Sequence, residues 1–172
     1  MARGPDGTGR MAWAGWHGPD GTVDGMATDS AHRAVTIERT APGRFTAINN
    51  RGGQITLGTG GDERFTPTEL LLAAIGCCTA IDVDILTSRR AEPESFHVSV
   101  EADKVRDTSG NHLTGIEVAF NIVFPAGADG DAARAVLPDA IRKSHDRLCT
   151  VGRTVELGTP ITERAVPAGG AA

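Results

Sequence analysis

The segment from Thr66 to about Arg90 constrains the fold more than any other part of this chain. Thr66 can be the N-cap of a helix, Pro67 stands at the first helical position, and Glu69 completes a capping box. The middle of this predicted helix is apolar on every face. Such a helix must be buried on all sides, so it is either the core of the domain or covered by a partner subunit.

Strand-like segments stand on both sides of this helix. Three short ones, at 34–39, 44–48 and 54–57, are separated by turn residues and predict an antiparallel meander. Two more follow the helix, at 96–101 and 115–124. A second helix is predicted from Asp129 to about Cys149, with a kink or break at Pro138, and a last strand around 160–163. Runs segregated in this way indicate the α+β class.

Length and composition predict one domain with short tails. A chain of 172 residues is most simply a single domain. Residues 1–31 are rich in Gly, Asp and Pro without periodicity, which predicts a flexible N-terminal tail, and Met26 is an alternative start. The domain is expected to span 32–168, followed by a C-terminal tail at 169–172.

Charge and hydropathy narrow the possible partners and the compartment. The net charge of −5 and the absence of a basic run argue against nucleic acid as the main partner. The longest unbroken apolar run, from Leu70 to Ile81, falls short of the roughly 20 residues that span a membrane, so no membrane partner is expected. Three cysteines are an odd number, which argues against a secreted disulfide framework and favours a cytoplasmic protein.

The three cysteines lie on the two predicted helices. Cys77 and Cys78 are neighbours, so their side chains point about 100° apart and cannot face one pocket. Cys77 shares a face with Leu70 and Ala73 and is predicted to pack in the core. Cys78 lies about three turns inside its helix, beyond the reach of the helix dipole, so a cation from elsewhere must stabilise its thiolate.

Cys149, near the end of the second helix, leaves two chemistries open. His145 is four residues earlier, on the same helical face, and together with Cys78 and Asp82 these residues would offer a set of metal ligands. The sequence has no Cys-x-x-Cys pair, so a redox pair of Cys78 and Cys149 is the stronger prediction.

Two motifs resemble the OsmC/Ohr family of hydroperoxide-handling proteins. The first runs from Thr66-Pro-Thr-Glu-Leu70 to Gly76-Cys-Cys-Thr-Ala-Ile-Asp-Val83, and the second is Ser144-x-x-x-x-Cys149-x-Val151. The resemblance covers roughly residues 34–166, and the form of the first motif indicates an OsmC-like subgroup. It implies an α+β fold with antiparallel sheets around a long buried central helix, in an intertwined homodimer.

The resemblance also implies a two-cysteine thiol peroxidase of oxidative stress defence that needs no cofactor. Cys78 would be the peroxidatic residue and Cys149 the resolving one, with an organic hydroperoxide as substrate and an external dithiol as reductant. The activating arginine is expected from the N-terminal hairpin region, where Arg44 is the nearest candidate and Arg51 the next. Glu69 is the candidate carboxylate for orienting that arginine.

One departure from the family pattern keeps an alternative open. In the peroxidase branches the acidic residue directly follows the proline, whereas here that position is Thr68 and the carboxylate is Glu69. A shift of one residue turns a helical side chain by about 100°, so Glu69 can be a helix cap alone. The alternative is a non-catalytic module of the same fold that retains a small apolar or thiol-reactive ligand.

Overall fold

A computed structural model describes residues 31–167 of the chain. The chain divides into two units, Met1–Arg33 and Ala34–Ala172, and all the elements given below belong to the second. The tails predicted at 1–31 and 169–172 lie outside the described residues, apart from residue 31, and so does the alternative start at Met26.

The first sheet is the predicted antiparallel meander of three strands. Its strands, in spatial order, are β1 (Val35–Ala41), β2 (Arg44–Asn49) and β3 (Gln54–Leu57). Gly43 turns the chain between β1 and β2 with a φ of 68°, a left-handed conformation that favours glycine. The Asn49 side chain accepts hydrogen bonds from the backbone N–H groups of Arg51 and Gly53 and so shapes the loop into β3.

Helix α1 (Pro67–Thr87) begins with the predicted capping box. Thr66 Oγ1 accepts a hydrogen bond from the Glu69 N–H at 3.2 Å, and the Glu69 carboxylate accepts one from the Thr66 N–H at 2.7 Å. The helix ends with Ser88 as its C-cap, close to the predicted end.

A two-stranded antiparallel hairpin, β4 (Ser95–Asp107) and β5 (Gly110–Val123), follows α1. Both strands are longer than predicted, because the pairing continues through the polar residues on either side of the turn. Helix α1 packs on β4 through Gly76, where a Cβ atom would lie 2.5 Å from Val100 Cγ2.

The second helical region differs from the prediction. Helix α2 (Ala128–Lys143) runs without interruption through Pro138, and a π turn (Ser144–Leu148) separates it from the short helix α3 (Thr150–Glu156). The break predicted at Pro138 is wrong: Pro138 lies on the exposed side of α2, where solvent can hydrogen-bond the carbonyl group that proline leaves free. The strand predicted around 160–163 is also wrong, because Ile161 is 89% exposed in an irregular segment.

Helix α1 buries one stripe of side chains, not all of its faces. The stripe has a spacing of four residues and consists of Ile75, Thr79, Val83 and Thr87. On the other faces Ile81 and Ile85 are exposed, and so is Leu71 at the N-terminal end of the stripe. The prediction that α1 is buried on all sides by its own domain is therefore wrong for the single chain. The alternative, that a partner subunit covers the exposed faces of α1, stays a prediction. Cys77 was predicted to be core and is exposed, because it lies off this stripe.

Helix α1 also has the length and hydropathy of a membrane-spanning segment. It has 21 residues, and a stretch of 18 of them has a mean hydropathy of 1.9 and is 28% buried. The length of the unbroken apolar run did not predict this, because the run stops at Asp82 while the helix continues to Thr87. The core helix of a soluble protein meets the same criteria, so the finding is weak support for a membrane segment.

The capping box makes stability depend on pH through Glu69. Hydrogen bonds from the Thr66 N–H and hydroxyl lower the pKa of Glu69. A carboxyl group with a lowered folded pKa stabilises the fold above its unfolded pKa, and this contribution is lost as the pH falls through the folded pKa. We expect Glu69→Gln to lower the free energy of unfolding at pH 7, and the difference from the wild type to shrink below about pH 4.

Urea denaturation at both pH values measures this difference. Glu163→Gln, which changes an exposed carboxylate in the irregular segment after α3, is the matched control. An equal loss of stability for Glu69→Gln at both pH values would contradict the capping role.

Candidate functional site

Cys149 sits where the π turn meets α3, and its side chain is turned inward. It is the N-cap residue of α3, with its Sγ atom 3.3 Å from the Gly152 N–H nitrogen, and it is 2% exposed. Thr79 Oγ1 on α1 lies 3.3 Å from the same sulfur and 3.1 Å from the Ile75 carbonyl oxygen. The hydroxyl has one proton, so it donates to one of these acceptors at a time. The thiol of Cys149 is thus held against α1.

Cys149 lies against the part of α1 that carries Cys78, because its Sγ atom contacts Thr79, the next residue along that helix. Burial is the largest effect on the pKa of Cys78 and raises it. The Cys149 side chain and the charge of Asp82 raise this pKa further, while the backbone N–H of Val151 lowers it. The net result is a raised pKa, so the described residues around Cys78 favour the thiol over the thiolate.

A second polar contact joins the same two regions. Ser144, the first residue of the π turn, is fully buried, and its Oγ donates a hydrogen bond to Asp82 Oδ2 at 2.8 Å. The Ser144 carbonyl in turn accepts the Cys149 N–H at 2.9 Å. Helix α1 and the segment that carries Cys149 are therefore linked both by the contact between Thr79 and Cys149 and by this carboxylate–hydroxyl pair.

Arg44 and Glu69 have other partners in the described chain. Arg44 is half-exposed and lies 3.7 Å from Asp62, whose pKa is lowered chiefly by the Arg64 backbone N–H and also by the charge of Arg44. The Glu69 carboxylate accepts hydrogen bonds from Thr66. Among residues 31–167, no arginine contributes to the pKa shift of Cys78. Catalytic roles for Arg44 and Glu69 stay predictions, and Arg51 lies in the exposed β2–β3 loop.

An apolar cavity of about 340 Å³ opens beside the sulfur of Cys149. Polar groups on its wall are Thr79, His145 and Glu156, and Glu156 lies 3.4 Å from His145 Nδ1 and 2.7 Å from Arg153. These lining residues were not predicted from the sequence, although the alternating apolar residues of β5 form one side of the cavity. The apolar lining residues are Ile75, Ile116, Val118, Phe120, Ile141 and Val155.

The proposed metal ligands do not come together. Between residues 31 and 167, no group of three or more His, Cys, Asp and Glu side chains is arranged to hold a metal ion. His145 is 66% exposed at its side chain and contacts Glu156. The π turn is the physical reason, because it removes the α-helical spacing that would put His145 and Cys149 on one face.

Several proteins of known structure share this fold. An OsmC-like protein of unknown function from Vibrio cholerae is 13% identical, with a TM-score of 0.61 over 74% of this chain and 95% of that one. An organic hydroperoxide resistance protein from Legionella pneumophila is 14% identical, with a TM-score of 0.51 over 73% of this chain and 89% of that one. At these identities the likeness concerns the fold alone.

Sequence comparison points to the same family. An uncharacterized protein of Mycobacterium tuberculosis is 27% identical over 134 residues, which are 77% of this chain and 96% of the relative. The profile of the family described as OsmC-like protein matches residues 60–164, more than half of the chain, including both cysteine motifs. The chain therefore belongs to the OsmC-like protein family.

Proposed function

We propose that this protein reduces organic hydroperoxides with the thiols of Cys78 and Cys149. The observation that carries the proposal is the position of Cys149: its Sγ atom lies 3.3 Å from Thr79 Oγ1, next to Cys78 on α1, although the two cysteines are about seventy residues apart in the chain. Structural neighbours named as organic hydroperoxide resistance proteins support the choice of oxidant.

The chemistry needs three balanced steps. The Cys78 thiolate attacks the peroxide ROOH, the O–O bond breaks, and the products are a sulfenic acid and, after protonation, the alcohol ROH. The Cys149 thiol then displaces water from the sulfenic acid and forms the Cys78–Cys149 disulfide. An external dithiol returns both residues to thiols and leaves as its own disulfide.

The apolar cavity supports an organic substrate over hydrogen peroxide. Its volume of about 340 Å³ is at the lower end of small-molecule sites, and six of its lining side chains are apolar. Burial of the apolar group R of ROOH in this cavity would contribute favourable binding free energy. Hydrogen peroxide has no apolar group, so the apolar lining would not favour its binding.

Because the pKa of Cys78 is raised, its thiol needs an additional cation to become a thiolate near neutral pH. We propose that a second copy of the chain supplies it in a homodimer, with Arg44 as the first candidate and Arg51 as the second. Exposed apolar side chains on β1 and α1 support such a dimer: Val35 is 61% exposed and Ile81 is 59% exposed. A reducing cytoplasm is the proposed location, because the mechanism returns both thiols to the reduced state.

The dimer gives a prediction at Ile81. We expect Ile81→Glu to weaken dimerisation about 100-fold or more, because an unpaired carboxylate would be buried in an apolar interface. Sedimentation velocity measures the association state. Ile161→Glu, the same change at an exposed isoleucine beyond α3, should leave the dimer intact. A monomeric wild type, or an unchanged dimer in Ile81→Glu, would refute this arrangement.

The same raised pKa favours a second candidate function. A thiol that stays protonated at neutral pH reacts slowly with peroxides, so the fold would then serve to retain a small apolar or thiol-reactive ligand. The pH dependence of Cys78 alkylation in the assembled protein separates the two candidates. A midpoint well below the ordinary cysteine value of ~8.5 favours the peroxidase, and one at or above it favours the binding module.

A single-turnover experiment tests the proposed reaction. Reduced protein is mixed with one equivalent of tert-butyl hydroperoxide, and thiols, alcohol and disulfide are measured. We expect two thiols lost for each alcohol formed, with Cys78 and Cys149 recovered in one disulfide-linked peptide pair. Recovery of both thiols with no alcohol formed would refute the proposal.

A further inference from the structure

The hydrogen bond between Asp82 and Ser144 has no place in the thiol chemistry described above. Ser144 is fully buried and Asp82 is partly buried, and their oxygens are 2.8 Å apart. A hydroxyl that donates to an ionised carboxylate makes one of the stronger protein hydrogen bonds. Within residues 31–167, two side-chain hydrogen bonds join α1 to the segment 144–156, and the other is the one between Thr79 and Cys149.

The spacing of residues along each segment connects this hydrogen bond to the two thiols. On each segment one partner of the bond lies close in sequence to one of the cysteines. Cys78 and Asp82 are four residues apart on α1 and share a face. Ser144 and Cys149 are five apart, and in an α-helix they would point about 140° away from each other. The π turn closes the 144–149 segment with a hydrogen bond of 2.9 Å from the Cys149 N–H to the Ser144 carbonyl. Both ends of that segment therefore contact α1, one at Asp82 and the other at Thr79, the neighbour of Cys78.

Asp82 does not activate the Cys78 thiol. Its charge is one of the influences that raise the pKa of Cys78, which works against thiolate formation. Cys149 is the titratable group that faces Cys78 from the other element, and it acts in the same direction. A carboxylate with this effect next to a reactive thiol needs another reason to be there, and the bond to Ser144 provides one.

We propose that Asp82 and Ser144 are positioning residues that tie the π turn to α1 and thereby hold the sulfur of Cys149 within bonding reach of Cys78. The inference rests on the proposed two-cysteine function, because it concerns the step that joins these two sulfurs. Losing the bond lowers the effective concentration of one thiol at the other, which weakens the disulfide against the dithiol form.

The test measures the thiol–disulfide equilibrium in buffers of reduced and oxidised dithiothreitol, with no peroxide present. All variants carry Cys77→Ser so that the exposed third thiol does not exchange. We expect Ser144→Ala to shift the equilibrium constant toward the dithiol about 10-fold. Ser144→Thr keeps the hydroxyl and should restore most of the shift.

The variant Asp82→Asn distinguishes the effect of the hydrogen bond to Ser144 from the effect of the negative charge of Asp82. Its amide oxygen can still accept from Ser144, so we expect the equilibrium constant to move less than in Ser144→Ala. The midpoint of Cys78 alkylation should fall in Asp82→Asn, because a negative charge is gone. A general loss of stability would not lower that midpoint. If Ser144→Ala does not fold, Asp82→Ala removes the acceptor from a partly exposed position and serves in its place.

Two results would overturn the inference. One is a wild-type protein that forms no Cys78–Cys149 disulfide in these buffers. The other is a folded Ser144→Ala or Asp82→Ala variant with the wild-type equilibrium constant. Failure of the proposed function appears separately, as a protein whose equilibrium shifts as expected but which consumes no hydroperoxide.

Discussion

Replacing Cys78 with serine is expected to lower turnover of an organic hydroperoxide by about 10³-fold or more, because the attacking sulfur is removed. Cys149→Ser should still be oxidised once and then stop, since no second thiol condenses with the sulfenic acid. Turnover is measured as tert-butyl hydroperoxide consumption with dithiothreitol as the reductant. In Cys149→Ser, the sulfenic acid that remains on Cys78 is trapped with dimedone, and the mass of the adduct is measured by mass spectrometry.

Cys77→Ser is the matched control for these variants. Cys77 adjoins Cys78 in sequence but is exposed on another face of α1, so its replacement should leave turnover near the wild-type value. Unchanged turnover in Cys78→Ser would remove the basis of the proposed mechanism. A single oxidation that survives in Cys78→Ser and is lost in Cys149→Ser would reverse the roles, and Cys149 is the thiol on the cavity wall.

Gly130→Ala is expected to destabilise the fold by about 2 kcal/mol or more, although glycine to alanine inside a helix usually stabilises by about 1 kcal/mol. Gly130 lies in the first turn of α2 and is buried, and a Cβ atom there would overlap the backbone carbonyl oxygen of Pro125. The carbonyl cannot rotate away as a side chain can, so the chain before α2 must move. For a domain of this size the melting temperature should fall by roughly 4–8 °C.

Alanine substitutions at two further glycines provide melting temperatures for comparison with Gly130→Ala. Gly61 has open space around its Cα, so Gly61→Ala should leave the melting temperature nearly unchanged. At Gly76 the new Cβ would meet Val100 Cγ2, the end of a side chain that can change rotamer, so Gly76→Ala should cost less than Gly130→Ala. Thermal unfolding followed by circular dichroism gives the three values. A Gly130→Ala variant as stable as the wild type would contradict the close approach of Gly130 to the Pro125 carbonyl.

Elements with strong local signals were predictable from the sequence. The capping box at Thr66 and Glu69 forms as expected, and so do the meander over β1–β3 and the order of strands and helices as far as α2. Predictions from local patterns failed where the surroundings of a residue in the fold determined its secondary structure. Pro138 is tolerated inside α2 because its side of the helix is exposed, and no pattern in the residues after Cys149 foretold a helix there.

Some features of the candidate site were likewise predictable from the sequence and others were not. The two cysteine motifs were visible in the sequence, and the family to which they point is the one to which the chain belongs. The pairing of Asp82 with Ser144 was not visible, because it depends on a π turn that no spacing rule marks. The prediction that Cys77 is buried failed because an apolar sequence does not tell which face of a helix its own domain covers.

What the sequence determined by itself is the set of local elements and the identity of the thiols. Capping, turn formation and helix or strand periodicity depend on residues within a few positions of each other, so one stretch of sequence contains all the information they need. The tertiary structure alone decided that Cys149 meets α1, through a contact with Thr79 seventy positions away, and that α1 keeps apolar faces exposed. Such contacts depend on how separate elements pack, and packing is a property of the whole chain and of any partner that covers it.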